Sequence, residues 1–168
     1  CGYVQGVKAA NSSAKIIQNM TGTTPAAWND PVKGTELTKA QISQGADVVY
    51  AAAGGTGVGV LQAAADANIL SIGVDANQNY MHPGQVLTSM LKRVDLAVYN
   101  AFSEGESLTT GFNVMGLAED GVGYALDEHN KSLVSAKMIE SLEAEKAKIV
   151  SGKIKVHDYM SDNSCPAK

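Results

Sequence analysis

The sequence predicts an α/β fold built on a parallel, Rossmann-like, doubly wound sheet, and three observations carry that prediction. Short β-prone runs recur at 47–52, 69–74 and 86–91, each bounded by turn residues. Helically patterned stretches of about a dozen residues lie between or after them, the length a crossover needs to return to a parallel neighbour. A glycine-rich loop, Ala53-Gly54-Gly55-Thr56-Gly57, joins one run to the helix that follows it.

The elements follow in order. Tyr3, Val4, Val7 and Ala10 give an opening helix, and Ala14–Met20 is a β-prone run. A polar loop carrying Trp28 leads to Asp30-Pro31, a helix start: aspartate caps well, and proline suits the first helical position because that N–H has no partner anyway. This helix runs to about Gln44 with a weak apolar face through Leu37 and Ala40. A strand at Asp47–Ala52, a helix at Thr56–Ala67 and a strand at Ile69–Val74 come next. Beyond the turn-rich Asn77–Gly84 lie a strand at Val86–Leu91 and a helix over Arg93–Glu104. Two strands are expected within 111–126 around Asp120-Gly121, a pair suited to a tight turn. A helix at Leu133–Val150 would bury Met138, Ile139, Leu142 and Ile149 and stop at Gly152. A last strand at Lys153–His157 precedes a polar tail.

The chain has 168 residues, 45% hydrophobic and 18% charged, which excludes a disordered, solvating segment and fits one compact domain or lobe. A net charge of −4 and a single arginine, Arg93, remove the basic footprint of a nucleic-acid binder. Residues 48–65 are uncharged, but glycines crowd their middle, so a strand, turn and helix explain them better than a membrane span. No basic region followed by an apolar one opens the chain. Cys1 and Cys165 are the only cysteines, and composition leaves their pairing open.

Ligands of open α/β sheets sit beyond the carboxyl ends of the strands. Gly54 and Gly55 allow backbone to approach a ligand there, or simply permit a tight strand-to-helix turn. Asp75 ends the next strand with a carboxylate able to accept both hydrogen bonds of a sugar diol. Its distance from the glycine loop fits a ribose-binding acid, which raises an NAD-binding dehydrogenase domain as the alternative. That fingerprint fails because Val60 stands where its third glycine belongs. Asp75–Asn79 resembles a calcium loop, but Tyr80 and Val86 replace the glycine and the glutamate it requires. His82, His129 and His157 lack metal spacing, and no nucleophile motif occurs. Trp28 is either a stacking platform or a loop anchor. Lys92 and Arg93 read on pattern as a solvated helix start.

The runs GADVVYAAAGGTGVGVLQAA (45–64), IGVDANQNY (72–80) and VLTSMLKRVDLAVYNAF (86–102), with WNDPVKG before and EDGVGYA after, resemble the basic membrane protein family. These are substrate-binding proteins of ABC transporters, purine nucleoside receptors among them. The resemblance implies one lobe of a type I periplasmic binding protein, with residues 1–168 as the C-terminal lobe and about 92–110 crossing toward an absent first lobe. Cys1 is accordingly read as an internal residue exposed by truncation rather than a lipid anchor. The implied role is to bind a purine nucleoside or nucleobase and serve an ABC permease outside the cytoplasm, with no catalysis and no cofactor. The implied ligand positions are Trp28, where relatives commonly have Phe, then Gly54, Gly55, Asp75 and Lys92. The implied topology also brings Cys1 and Cys165 into one lobe, where an oxidising location would let them form a disulfide.

Overall fold

The computed structural model describes residues 1–166. The chain divides into two compact units, Asn19–Ile139 and a second made of Cys1–Gln18 with the segment from Glu140 onward.

The larger unit holds a four-stranded sheet ordered β1 (Val48–Tyr50), β2 (Leu70–Asp75), β3 (Val86–Lys92), β4 (Val122–Tyr124). The first three strands are parallel, with Tyr50 opposite Ile72 and Asp75 opposite Leu91. β4 runs antiparallel to β3, pairing Met90 with Tyr124, so the sheet is mixed rather than wholly parallel. The α-helices of the chain are α1 (Gly2–Ala10), α2 (Pro31–Ser43), α3 (Gly57–Asp66), α4 (Val94–Glu104) and α5 (Ala136–Val150).

Asp30 caps α2 by accepting a hydrogen bond from the Lys33 N–H at 2.9 Å, and Pro31 opens it, as the Asp-Pro pair predicts. The buried face of α2 is not Leu37 and Ala40 but Gly34 and Thr38, because α2 lies close against α3 and only small residues fit. A Cβ on Gly59 would overlap the Pro31 carbonyl oxygen. Beneath this helix pair, Val49, Ala51, Val60 and Ala64 form the core, with Ala46 and Ile69 at its border.

Three expected strands are absent. Residues 14–20 join no ladder, since β propensity holds no shape without a partner strand. Residues 111–117 do not pair with 121–126. The Gly121 N–H instead turns back to the Gly116 carbonyl at 2.9 Å, with Asp120 at φ 53, and β4 takes β3 as its partner. In the smaller unit, 153–157 is held by a side chain: the Gln5 amide donates to the Lys155 carbonyl at 3.0 Å and accepts from the His157 N–H at 3.2 Å. α5 has the expected period and stops at Gly152 with φ 74, yet none of its residues is buried, Met138 and Leu142 included. Cys1 and Cys165 are joined by a disulfide, their Cα atoms 5.4 Å apart. No helix among the described residues is long and apolar enough to cross a membrane.

Candidate functional site

Because β1, β2 and β3 are parallel, their carboxyl ends share one edge, and the chain leaves that edge through the glycine loop, Asp75 and Lys92. Asp75 and Lys92 form an ion pair there, Nζ to Oδ1 2.6 Å, with both side chains about half exposed. Such a pair in water contributes only ~0–1 kcal/mol, so an incoming ligand can displace it at little cost.

Asp75 has φ 70, and the Ala76 N–H donates to the Val74 carbonyl at 2.9 Å across it. This is a three-residue γ-turn of the rare positive-φ kind, and a non-glycine residue so placed stores roughly 1–3 kcal/mol. The surroundings hold it. The Val74 N–H donates to Gln78 Oε1 at 2.9 Å, and the Gln78 N–H donates to Ser89 Oγ at 2.9 Å. Ser89 Oγ in turn donates to Asn79 Oδ1 at 2.8 Å. The Asn77 and Asn79 amides both donate to Asp127 Oδ2, at 2.7 and 3.1 Å. Ser89 and Asn79 are fully buried. A Cβ on Gly73 would come within 2.6 Å of Ser89 Oγ and 2.8 Å of Gln78 Oε1, so glycine at that strand position makes room for the network.

Asp127 stands with Glu128 and His129 in a cluster of potential metal ligands. Its oxygens are already engaged, however, by the Asn77 and Asn79 amides and by the His129 backbone N–H at 2.8 Å. The hydrogen bond from Asn77 is the largest effect on its carboxyl and, with the lesser help of His129 and Asn79, holds it below the usual carboxylate range despite the opposing desolvation.

Trp28 ends a 3-10 turn over Pro25–Trp28 and remains 60% exposed. It leans on the glycine loop: a Cβ on Gly54 would sit 3.4 Å from the ring carbon Cε3 and 3.1 Å from the Trp28 carbonyl. Gly54 also has φ 55, which a side chain resists. A Cβ on Gly55 would likewise sit 3.1 Å from Asn29 Oδ1. Thus the structure brings Trp28 together with Gly54 and Gly55, and Asp75 together with Lys92, along the edge of neighbouring strands. Arg93 turns aside to Asp95, with Nη2 to Oδ2 2.9 Å.

Sequence reasoning missed Tyr50, Thr56 and Gln78. Tyr50 ends β1, and burial raises its hydroxyl pKa, with nearby Lys92 opposing and Asp75 adding to the rise. Its position as the one aromatic residue of the 47–52 run, close to the carboxyl edge, was the available signal. A pocket of about 360 Å³ lined by Lys155, Val156, His157, Asp158 and Ser161 belongs to the smaller unit and contains none of these residues.

Comparison with known proteins converges on one group. The family model of PnrA-like ABC transporter substrate-binding proteins matches residues 1–159. The chain is similar to basic membrane protein D of Borreliella burgdorferi, 35% identical, over 92% of this chain and 46% of that protein. It is also similar to the CD4+ T-cell-stimulating antigen of Listeria monocytogenes, 34% identical, over 92% of this chain and 47% of that protein. It therefore spans about half the length of these curated relatives. Among solved structures, a solute-binding protein of an ABC transporter system from Aeropyrum pernix K1 superposes with TM-score 0.74 at 28% identity, over 91% of this chain and 51% of that one. A structure from Bacillus halodurans described as a transcriptional activator of the comK gene shares the fold, with TM-score 0.75 at 21% identity over 98% of this chain and 52% of that one. Proteins of the matched family hold a solute rather than transform it, and the chain belongs to that family, the PnrA-like substrate-binding proteins of ABC transporters.

Proposed function

We propose that this chain is the C-terminal lobe of a two-lobed, extracytoplasmic binding protein of the type I periplasmic fold. In this reading it carries a purine nucleoside or nucleobase to an ABC permease. The observation that carries the reading is the Asp75–Lys92 pair at 2.6 Å on the carboxyl edge of the sheet. A carboxylate fixed there accepts from the two hydroxyls of a ribose, while the lysine reaches a sugar oxygen or steadies the carboxylate. Trp28, with its ring edge on Gly54 and most of its surface in water, supplies a π face for the base. Gly54 and Gly55 let the backbone approach.

Support for a second lobe comes from α4. None of its residues is buried, and Val94, Val98 and Phe102, spaced along one face, are 65%, 50% and 83% exposed. Such a stripe belongs against another apolar surface. In this reading residues 92–110 face the first lobe, within the half of the relatives' length that this chain does not span.

The test is calorimetric titration of the two-lobed parent with adenosine, guanosine, adenine, ribose and NAD. Asp75→Ala is expected to weaken nucleosides far more than free bases, since hydrogen bonds to a charged acceptor contribute ~1.5–3 kcal/mol each. Trp28→Ala is expected to weaken all purines by roughly 1–3 kcal/mol, and Trp28→Phe to be mild. Equal losses for adenine and adenosine in Asp75→Ala would remove the ribose assignment. Low-micromolar adenosine binding by the isolated chain would overturn the need for a second lobe, because a cleft ligand is buried from both sides.

A further inference from the structure

We infer that Thr56 is the positioning residue for the Trp28 ring, a role that matters for ligand binding only if Trp28 is the stacking platform proposed above. Thr56 is fully buried at the start of α3, and its one hydroxyl makes two hydrogen bonds. It donates to the Ala27 carbonyl at 2.7 Å and accepts from the Asp30 N–H at 2.7 Å. Those two groups flank the Trp28-Asn29 dipeptide on either side, so a single hydroxyl clamps both ends of the segment that presents the ring. The clamp is itself held, because a Cβ on Gly34 would lie 3.1 Å from Thr56 Cγ2 and would overlap the Thr56 carbonyl oxygen. Thr56 thus packs closely under the first turn of α2. Its hydroxyl both donates and accepts, so no aliphatic side chain of the same shape reproduces it. The glycine loop is thereby more than a flexible approach to ligand: Gly54 gives the ring its seat, and Thr56, two residues on, fixes the chain that carries the ring.

The chain contains one tryptophan, so its fluorescence reports this ring alone. Time-resolved anisotropy is measured on the unsubstituted chain and on Thr56→Ser, Thr56→Val and Thr56→Ala, with far-ultraviolet circular dichroism checking the fold. The amplitude of sub-nanosecond depolarisation is expected to double at least in Thr56→Val and Thr56→Ala. Thr56→Ser, which keeps the hydroxyl, is expected to stay near the unsubstituted chain. Equal amplitudes in all four overturn the inference, as does a serine variant that behaves like valine. If the two hydroxyl-free variants do not fold, hydrogen exchange of the Asp30 amide in the unsubstituted chain decides. Protection matching the α2 interior supports the clamp, and unprotected exchange overturns it. Adenosine titration of the two-lobed parent separates the two claims: binding unaffected by Trp28→Ala ends the stacking reading and leaves the anisotropy result standing.

Discussion

Asp127 shows how one side chain can order the backbone behind a candidate site. Its carboxylate gathers the Asn77 and Asn79 amides and the His129 N–H, and through Asn79 and Ser89 this order extends to Gln78 and the γ-turn at Asp75. Its pKa is lowered in the folded state, chiefly by the Asn77 hydrogen bond. The contribution to stability is therefore complete above the ordinary carboxylate range near ~4 and is lost as pH falls through the lower folded value. Asp95 and Asp162 are depressed too, by Arg93 and by Ser164 respectively, and add to the same acid loss. Melting temperature recorded between neutral pH and about pH 2.5 should fall less steeply for Asp127→Asn than for the unsubstituted chain. Identical slopes would mean that the hydrogen bonds seen around this carboxylate do not favour its charged form.

Among the elements, the α2–α3 pair and α4 make opposite predictions. Gly59→Ala places a methyl against the Pro31 carbonyl, and the helices must separate. Overpacking of this kind costs ~1–3 kcal/mol, so thermal melting should drop by several degrees. Phe102→Ser, on a ring that is 83% exposed, should leave the melting of this chain nearly unchanged. In the longer protein, under the two-lobed reading proposed above, the same substitution should lower the melting temperature measurably; an unchanged value there would count against a second lobe covering α4. What the sequence revealed about these elements follows the same logic. The strands of the parallel set and the start of α2 were legible because turn residues, a cap and a proline mark them locally. The strand expected at 153–157 failed because Gln5, about 150 positions earlier, takes its backbone groups instead. On pattern Lys92 is only a solvated helix start, and the family resemblance supplies it as a candidate; Asp75 and Trp28 could be nominated from position at a strand end and ahead of a helix. Thr56 and Gln78 could not, since their roles depend on groups 29 and 11 positions away in the chain.

On the scale of the whole molecule, the disulfide is the longest-range constraint, closing a loop across a separation of 164 residues. For a loop of that size the chain-entropy estimate reaches about 5 kcal/mol, and native-state effects commonly reduce it. Reduction under native conditions should lower the melting temperature, and the loss should be greater for the smaller unit, whose two segments it ties directly. Amide exchange in α1 and around 153–158, followed with and without reductant, measures this: protection lost throughout the chain in equal degree would argue against a local tie.

The same bond makes the chain a covalent ring interrupted by nothing from Cys1 to Cys165. The stretch from Phe102 to Val114 lies on that ring and is exposed at every residue, with Phe112 fully in solvent. A protease such as chymotrypsin, cutting after Phe112, would open the circle without dividing the molecule. The nicked product would migrate as one species in non-reducing electrophoresis and separate into two fragments only when thiol is added.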